Sequence, residues 1–329
     1  MSERHETLGT QFSLGTFEAQ RQYAEDAPPL CVSIMRGRDE YVVMSVADGM
    51  GGAGRYKVRP ALSPDLSLVT MAQVAARNAR GSVVSSLCNI TTPKTTFFLA
   101  DRLSRQLILD FPPLVDRYVF GGGGACRNDT GKPWILGAEP FPTTLAATVV
   151  NREGEESMVH MMWGGDSTLS VLTLTALYTT LAGPDLHNAH GIDANIPADY
   201  RLHHATVRIP EGFPFMVVAS TDGLTKFRPP IGKEFKDNTL AVLQYYKHTL
   251  YDIAQLTSFG FPLSEAMRSV IAPFVNYDEP EVCYRTVHLY PDDLTASAAL
   301  YDPIGSFKDV DIARIAIVPI GNGYDIPDF

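Results

Sequence analysis

Aspartates recur in this chain where apolar runs end. Asp48 follows the run Tyr41–Ala47 and opens Asp48-Gly49-Met50-Gly51-Gly52. Asp222-Gly223 follows Phe215–Ser220, and Asp292-Asp293 precedes Ala296–Tyr301. Gly165-Asp166-Ser167 separates Met158–Trp163 from Leu169–Leu174, and Arg21-Gln22-Tyr23-Ala24-Glu25-Asp26 comes just before the run at Cys31. A carboxylate at the end of a buried strand is costly unless it caps a turn, pairs with a base or binds a cation. For a single Asp-Gly the turn reading suffices. Five such places, with few Lys or Arg close by in sequence, shift the balance. Converging carboxylates repel one another unless a divalent cation sits among them. Oxygen-only donors select a hard or borderline ion, Mg²⁺ or Mn²⁺. Gly49 lacks a side chain, so its backbone is able to approach such an ion closely.

The elements that must carry these residues are legible as runs. Short β-branched, apolar segments predict strands at Cys31–Met35, Tyr41–Ala47, Leu145–Val150, Met158–Trp163, Leu169–Leu174, Ala205–Ile209, Phe215–Ser220, Ala296–Tyr301 and Ile312–Val318. Helical spacing predicts helices at Asp65–Arg77, Lys94–Leu109, Asn238–Leu256 and Ser264–Val275, the first with Ser63 as N-cap and Pro64 opening it. Strands, then two helices, then many strands, then helices, then strands argue for α+β and against a regular doubly wound sheet. No repeat or linker divides the chain, so residues 1–329 are expected to form a single domain. Gly121–Gly124 lacks the lysine and spacing of a nucleotide loop and reads as a surface turn.

Bulk properties exclude several classes. The 329 residues are 45% hydrophobic and 19% charged, a composition that folds rather than stays disordered. Net charge is −10, from 37 acidic and 27 basic residues, which argues against nucleic-acid binding. Cys31, Cys88, Cys126 and Cys283 are far apart, form no CxxC pair and suggest neither thiolate zinc nor a disulfide framework. There is no signal-peptide pattern at the N-terminus and no apolar run long enough to span a membrane. A cytoplasmic, reducing location without membrane attachment is the expectation.

Taken in order, these motifs resemble those of the metal-dependent protein serine/threonine phosphatases, the protein phosphatase 2C or PPM family. Val42–Gly52, VVMSVADGMGG, resembles the family signature. Arg21 to Asp26 matches its R-x-x-x-E-D opening. Pro142-Thr143-Thr144 resembles its G-[ST]-T segment, Gly165-Asp166-Ser167 its G-D-S-R turn, Ser220-Thr221-Asp222-Gly223-Leu224 its S-D-G-L motif, and Asp292-Asp293-Leu294-Thr295 its D-[DN]-x-[TS] close. The matches span about residues 15 to 301. Departures are Ala24 where the family has Asn, Pro142 for Gly, and Thr168 for Arg. Met50 stands where eukaryotic members often have His and bacterial ones commonly have Met, which makes the chain bacterial in type.

The resemblance implies a four-layer α-β-β-α sandwich, with two central antiparallel sheets flanked by helices and two or three Mn²⁺ or Mg²⁺ ions in the cleft between the sheets. By position, Asp48 would bridge two ions and Gly49 would lend its carbonyl. Asp222 and Asp292 would hold one ion, with Glu25 and Asp26 nearby, and Asp166 would help hold a looser third. Arg21 would grip phosphate. The implied activity is hydrolysis of phosphoserine and phosphothreonine in proteins by a metal-bridged hydroxide, countering a Ser/Thr kinase. The alternative is a catalytically weak phosphoprotein- or kinase-binding regulatory module on the same fold. Residues 183–200 occupy the place of the family's variable flap, and 237–291 read as a helical insertion.

Overall fold

The computed structural model describes residues 11–19, 25–37, 39–50, 57–58, 69–90, 95–120, 140–153, 156–185, 190–224, 239–272 and 293–326. The strands are β1 (Ser13–Ala19), β2 (Leu30–Arg36), β3 (Asp39–Val46), β4 (Lys57–Val58), β5 (Val69–Thr70), β6 (Leu145–Glu153), β7 (Glu156–Gly164), β8 (Thr168–Thr173), β9 (Ala176–Thr179), β10 (His203–Pro210), β11 (Phe215–Ser220), β12 (Leu294–Tyr301), β13 (Ala316–Pro319) and β14 (Asp325–Ile326). The helices are α1 (Met71–Leu87), α2 (Thr96–Asp110), α3 (Thr239–Ser258) and α4 (Leu263–Ile271).

Two six-stranded sheets form, in the orders β1-β12-β11-β8-β9-β13 and β14-β10-β7-β6-β3-β2. Period-2 alternation sorts each strand's side chains between two cores. Along β3, Val42, Met44 and Val46 face the other sheet, while Val43 and the following Ala47 face helices. Along β11, Phe215, Val217 and Ala219 face the other sheet, and Met216 and Val218 face helices. One core therefore lies between the sheets. A second lies under α1 and α2, and a third under α3 and α4. This is the expected α+β four-layer sandwich.

Several details differ from the expectations. The sheets are mixed, because β9–β13 and β10–β14 pair in parallel at their edges. Helix α1 begins at Met71, where the Thr70 hydroxyl accepts the Gln73 N–H and stops the preceding β5, and it runs on to Leu87. Ser63 and Pro64 lie outside the described residues, as does the Gly121–Gly124 run. The run Ile312–Val318 divides into a 3₁₀ turn at Ile312–Arg314, set by Asp311 accepting the Ala313 N–H, and the shorter β13. β1 carries no apolar run and was not expected. Among the described residues no helix is long and apolar enough to cross a membrane.

A polar network ties α2 to its sheet. His160 of β7 is fully buried, and its Nε2 lies 2.9 Å from Asn151 Oδ1. That oxygen only accepts, so Nε2 carries the proton and Nδ1 accepts from the Thr96 hydroxyl at 2.7 Å. Thr96 in turn meets the Thr206 hydroxyl on β10. Burial pushes the His160 imidazole down to about 4. Its pKa thus sits below the unfolded value, so the stabilisation is complete above pH ~6.5 and is lost as pH falls through 4. Denaturant titrations of wild type and His160→Gln are expected to show a gap that narrows by on the order of 3 kcal/mol between pH 7 and pH 4.

Candidate active site

Two of the crossings from one sheet to the other carry acids of the motifs and fall at the same end of the sandwich. The β1–β2 crossing carries Glu25 and Asp26, and the β7–β8 turn carries Asp166. Asp48, after β3, leaves its sheet at that end. So do Asp222, after β11, and Asp293, before β12, because these two strands pair antiparallel with Ser220 opposite Ala296. Segregation of the acids to one end is therefore a consequence of strand order and register.

The carboxylates meet there. Asp26 is 1% exposed and lies against the Asp48 carboxylate. Its Oδ2 accepts the Thr295 hydroxyl at 3.1 Å, and Thr221 also hydrogen-bonds to it. Thr221 and Thr295 brace each other across the two strands, with the Thr221 N–H on Thr295 O and the Thr295 N–H on the Thr221 hydroxyl, both at 3.0 Å. Asp293 is 6% exposed, and its carboxylate accepts the Glu25 N–H at 2.7 Å. Burial raises Asp26 to about 7, helped by the charge on Asp293 and opposed by the contact with Asp48. Asp26 Oδ1 is buried with no hydrogen-bonding partner.

Backbone closeness explains the glycines that follow Asp48 and Asp222. A methyl on Gly49 would meet the Ala72 backbone at 2.8 Å and the Glu25 carbonyl oxygen closer still. A methyl on Gly223 would strike the Asp293 carbonyl oxygen and come within 3.1 Å of Leu294 Cα. Only glycine lets these three segments pack together.

The Pro142-Thr143-Thr144 segment fixes the Asp48 turn. The Thr144 N–H and the Thr143 hydroxyl both donate to the Asp48 carbonyl, at 2.8 and 2.7 Å, and the Met50 N–H donates to Pro142 O at 3.1 Å. Thr143 also exchanges two 2.8 Å backbone bonds with Ile192, which ties the 190–200 loop to the same turn. Phe141 holds φ 57°, in the left-handed region, with its buried ring packed on Tyr118. That conformation costs about 1–3 kcal/mol, borne by the packing. Asp166 is exposed and joins the group through its neighbours: Gly165 packs on Thr144, and the Ser167 hydroxyl bonds that of Thr144.

The structure thus sets Asp26 against Asp48, brings Gly49 to the Glu25 backbone, places Asp222 next to Thr221, which bonds Asp26, and leaves Asp166 at their edge. Arg21 and Asp292 lie outside the described residues. Asp293, which sequence reasoning passed over in favour of Asp292, is the member of that acidic pair that the structure places against Glu25. Among the described residues no three His, Cys, Asp or Glu side chains are grouped as ligands of one ion. What these residues supply is a hard-oxygen pair, Asp26 and Asp48, with a buried oxygen that accepts no hydrogen bond. This fits a cation of the Mg²⁺ or Mn²⁺ type.

No family model matches the chain, and no curated protein does. Among solved structures, a bacterial serine phosphatase is similar at 12% identity, covering 89% of this chain and 99% of that one, with a TM-score of 0.49. The catalytic domain of the serine/threonine protein phosphatase PstP in complex with two manganese ions is similar at 12% identity, over 88% and 99% of the two chains, with a TM-score of 0.47. The serine/threonine phosphatase Stp1 from Staphylococcus aureus follows at 12% identity, over 91% and 98%, with a TM-score of 0.44.

The raised Asp26 carboxyl has a consequence in metal-free protein. Its folded pKa lies above its unfolded value, so stability is lost as pH rises through 7. In EDTA, Asp26→Asn is expected to unfold at higher denaturant than wild type at pH 8, with the gap closing as pH falls towards 4.

Proposed function

We propose that the chain is a metal-dependent serine/threonine protein phosphatase, formed by residues 1–329 as one domain. The observation that carries this reading is the contact of the Asp26 and Asp48 carboxylates at a buried point where both sheets end. Asp26 is buried, touches the half-buried Asp48 and feels the charge on Asp293, so ionising the whole group is costly in an ordinary fold and favourable around a cation. The order of the sequence motifs supports phosphate hydrolysis as the use of that cation.

Asp48, the Gly49 carbonyl, Asp222 and Asp292 would hold the ions, with Glu25 and Asp26 beside them and Asp166 at the rim. When bound, Mn²⁺ or Mg²⁺ supplies charge for the phosphoryl oxygens and lowers the pKa of a water. Thr221, Thr295 and Asp293 hold Asp26 and Glu25 in place before any ion arrives. Thr143 and Thr144 fix the Asp48 backbone, so the carboxylate and the Gly49 carbonyl keep their positions relative to each other. Arg21 would clamp the phosphate through a bidentate pair and offset charge growing on its oxygens. This reading uses no cysteine nucleophile. Cys31 fits that role poorly in any case, since burial pushes its thiol up to about 12.

The substrate class is a phosphorylated protein, and the cellular role is to reverse a Ser/Thr kinase. Hydrolysis of p-nitrophenyl phosphate and of a phosphothreonine peptide is expected with Mn²⁺ and not with EDTA. Asp48→Asn and Asp222→Asn are each expected to lower kcat/KM at least ~100-fold while leaving a folded circular-dichroism spectrum. Wild-type protein that is folded, loaded with Mn²⁺ and inert on both substrates would leave the phosphoprotein-binding module as the better reading.

A further inference from the structure

The last described stretch of the chain crosses from the edge of one sheet to the edge of the other. β13 extends the first sheet by pairing in parallel with β9, and β14 extends the second by pairing in parallel with β10. Residues 316–326 therefore form a strap over both sheets. Ile320, between the two strands, is fully buried in the layer between the sheets, and its N–H donates to Thr179 O at 3.0 Å. Helix α3 grips the chain just before the strap. Lys247, Tyr251 and Gln255, four residues apart and so on one face of the helix, donate to the carbonyls of Ile315, Val310 and Lys308 at 3.1, 2.8 and 3.2 Å.

Where it crosses, the strap holds the chain on both sides of the 190–200 loop. The Asn322 N–H donates to Asp185 Oδ2 at 2.7 Å, ahead of the loop, and Asn322 Oδ1 accepts the His204 N–H at 3.0 Å, after it. The Gly323 N–H donates to His204 O at 2.7 Å and the Thr206 N–H to Tyr324 O at 2.8 Å, which carries the grip along β10. Arg208 clamps Asp325 with two bonds, at 3.2 and 3.1 Å. The approach is close. A methyl on Gly183 would strike the Ile320 carbonyl oxygen, and one on Gly321 would come within 2.9 Å of Asp185 Oδ2.

The loop held in this way is itself tied to the acid site. The Tyr200 hydroxyl donates to His190 O at 3.2 Å, and the Ala194 N–H donates to Pro140 O at 2.9 Å. Ile192 exchanges two backbone bonds with Thr143, whose hydroxyl holds the Asp48 carbonyl together with the Thr144 N–H. From Asn322 the connection runs through His204, back along the chain to Ile192, and across to Thr143 and Asp48. Fixing both feet of a loop removes conformations that a loop fixed at one foot would visit. The bonds of Asn322 therefore act on backbone well beyond the atoms they join.

We propose that the strap is a latch on the acid site, with Asp185 and Asn322 as positioning residues that set the 190–200 loop and, through it, the Asp48 turn. The proposal does not depend on the reaction the site performs. Amide hydrogen exchange, followed by NMR on the full-length chain, tests it at Thr143, Thr144 and Ile192, with Val149 and Val171 inside the two sheets as controls. Asp185→Ala removes the acceptor of the Asn322 N–H, Asn322→Ala removes the acceptor of the His204 N–H, and Asp185→Asn keeps an acceptor oxygen. Exchange at Thr143, Thr144 and Ile192 is expected to be roughly fivefold faster in both alanine variants, close to wild type in Asp185→Asn, and unchanged at Val149 and Val171 in all three. Unchanged exchange at the three amides in the alanine variants would overturn the proposal. So would equal acceleration at the controls, which marks a general loss of stability, or Asp185→Asn exchanging as fast as Asp185→Ala. Should Asp185→Ala fail to fold, Asn322→Ala against wild type carries the same comparison with the same outcomes.

Discussion

The contact between Asp26 and Asp48 sets the conditions for the rest of the molecule. Asp26, with 1% exposure, opposes folding through desolvation and through the charge on Asp293, while its contact with Asp48 acts in the other direction. The surroundings offset this with fixed donors. Thr221 and Thr295 reach Asp26 from adjacent strands, and Asp293 fixes the Glu25 backbone. Hydrogen bonds to the charged form favour it, and they also orient it. An ion that bound the folded chain and not the unfolded one would return the residual cost as stability.

That contact requires two sheets to end at the same place. The sandwich achieves it by sending the chain between sheets at one end, from β1 to β2 and from β7 to β8. The apolar layer between the sheets holds them at a fixed spacing, and two more fasten helices to their outer faces. Trp163, Met44 and Phe215 are fully buried in the middle layer, where a change of volume would shift one sheet relative to the other. Glycines 49 and 223 then permit backbone approaches that no side chain would allow.

Much of this was legible because strand alternation and acid position are local signals. Phe215–Ser220 was read with its observed bounds, and Asp48 and Asp222 stood out as acids directly after apolar runs. Other features depend on partners distant in sequence. β1 has Gly15 and alternating polar residues, and becomes a strand only by pairing with β12, some 280 residues away. The start of α1 was misplaced because Ser63-Pro64 offered a local cap signal, whereas Thr70 makes the hydrogen bond. The motif points to Asp292, and the role of Asp293 in fixing the Glu25 backbone depends on a contact 268 residues away. The link from Thr143 to Ile192 follows from no motif, since it is made entirely by backbone atoms.

The central claim is that the acids at this end of the sandwich form a divalent-cation site. Isothermal titration calorimetry of Mn²⁺ into chelator-treated wild type and into Asp48→Asn tests it without reference to any substrate. The account predicts saturable binding of about two ions by the wild type and loss of the tighter event in the variant. Absence of saturable binding by folded wild type, or an isotherm unchanged by Asp48→Asn, would contradict it.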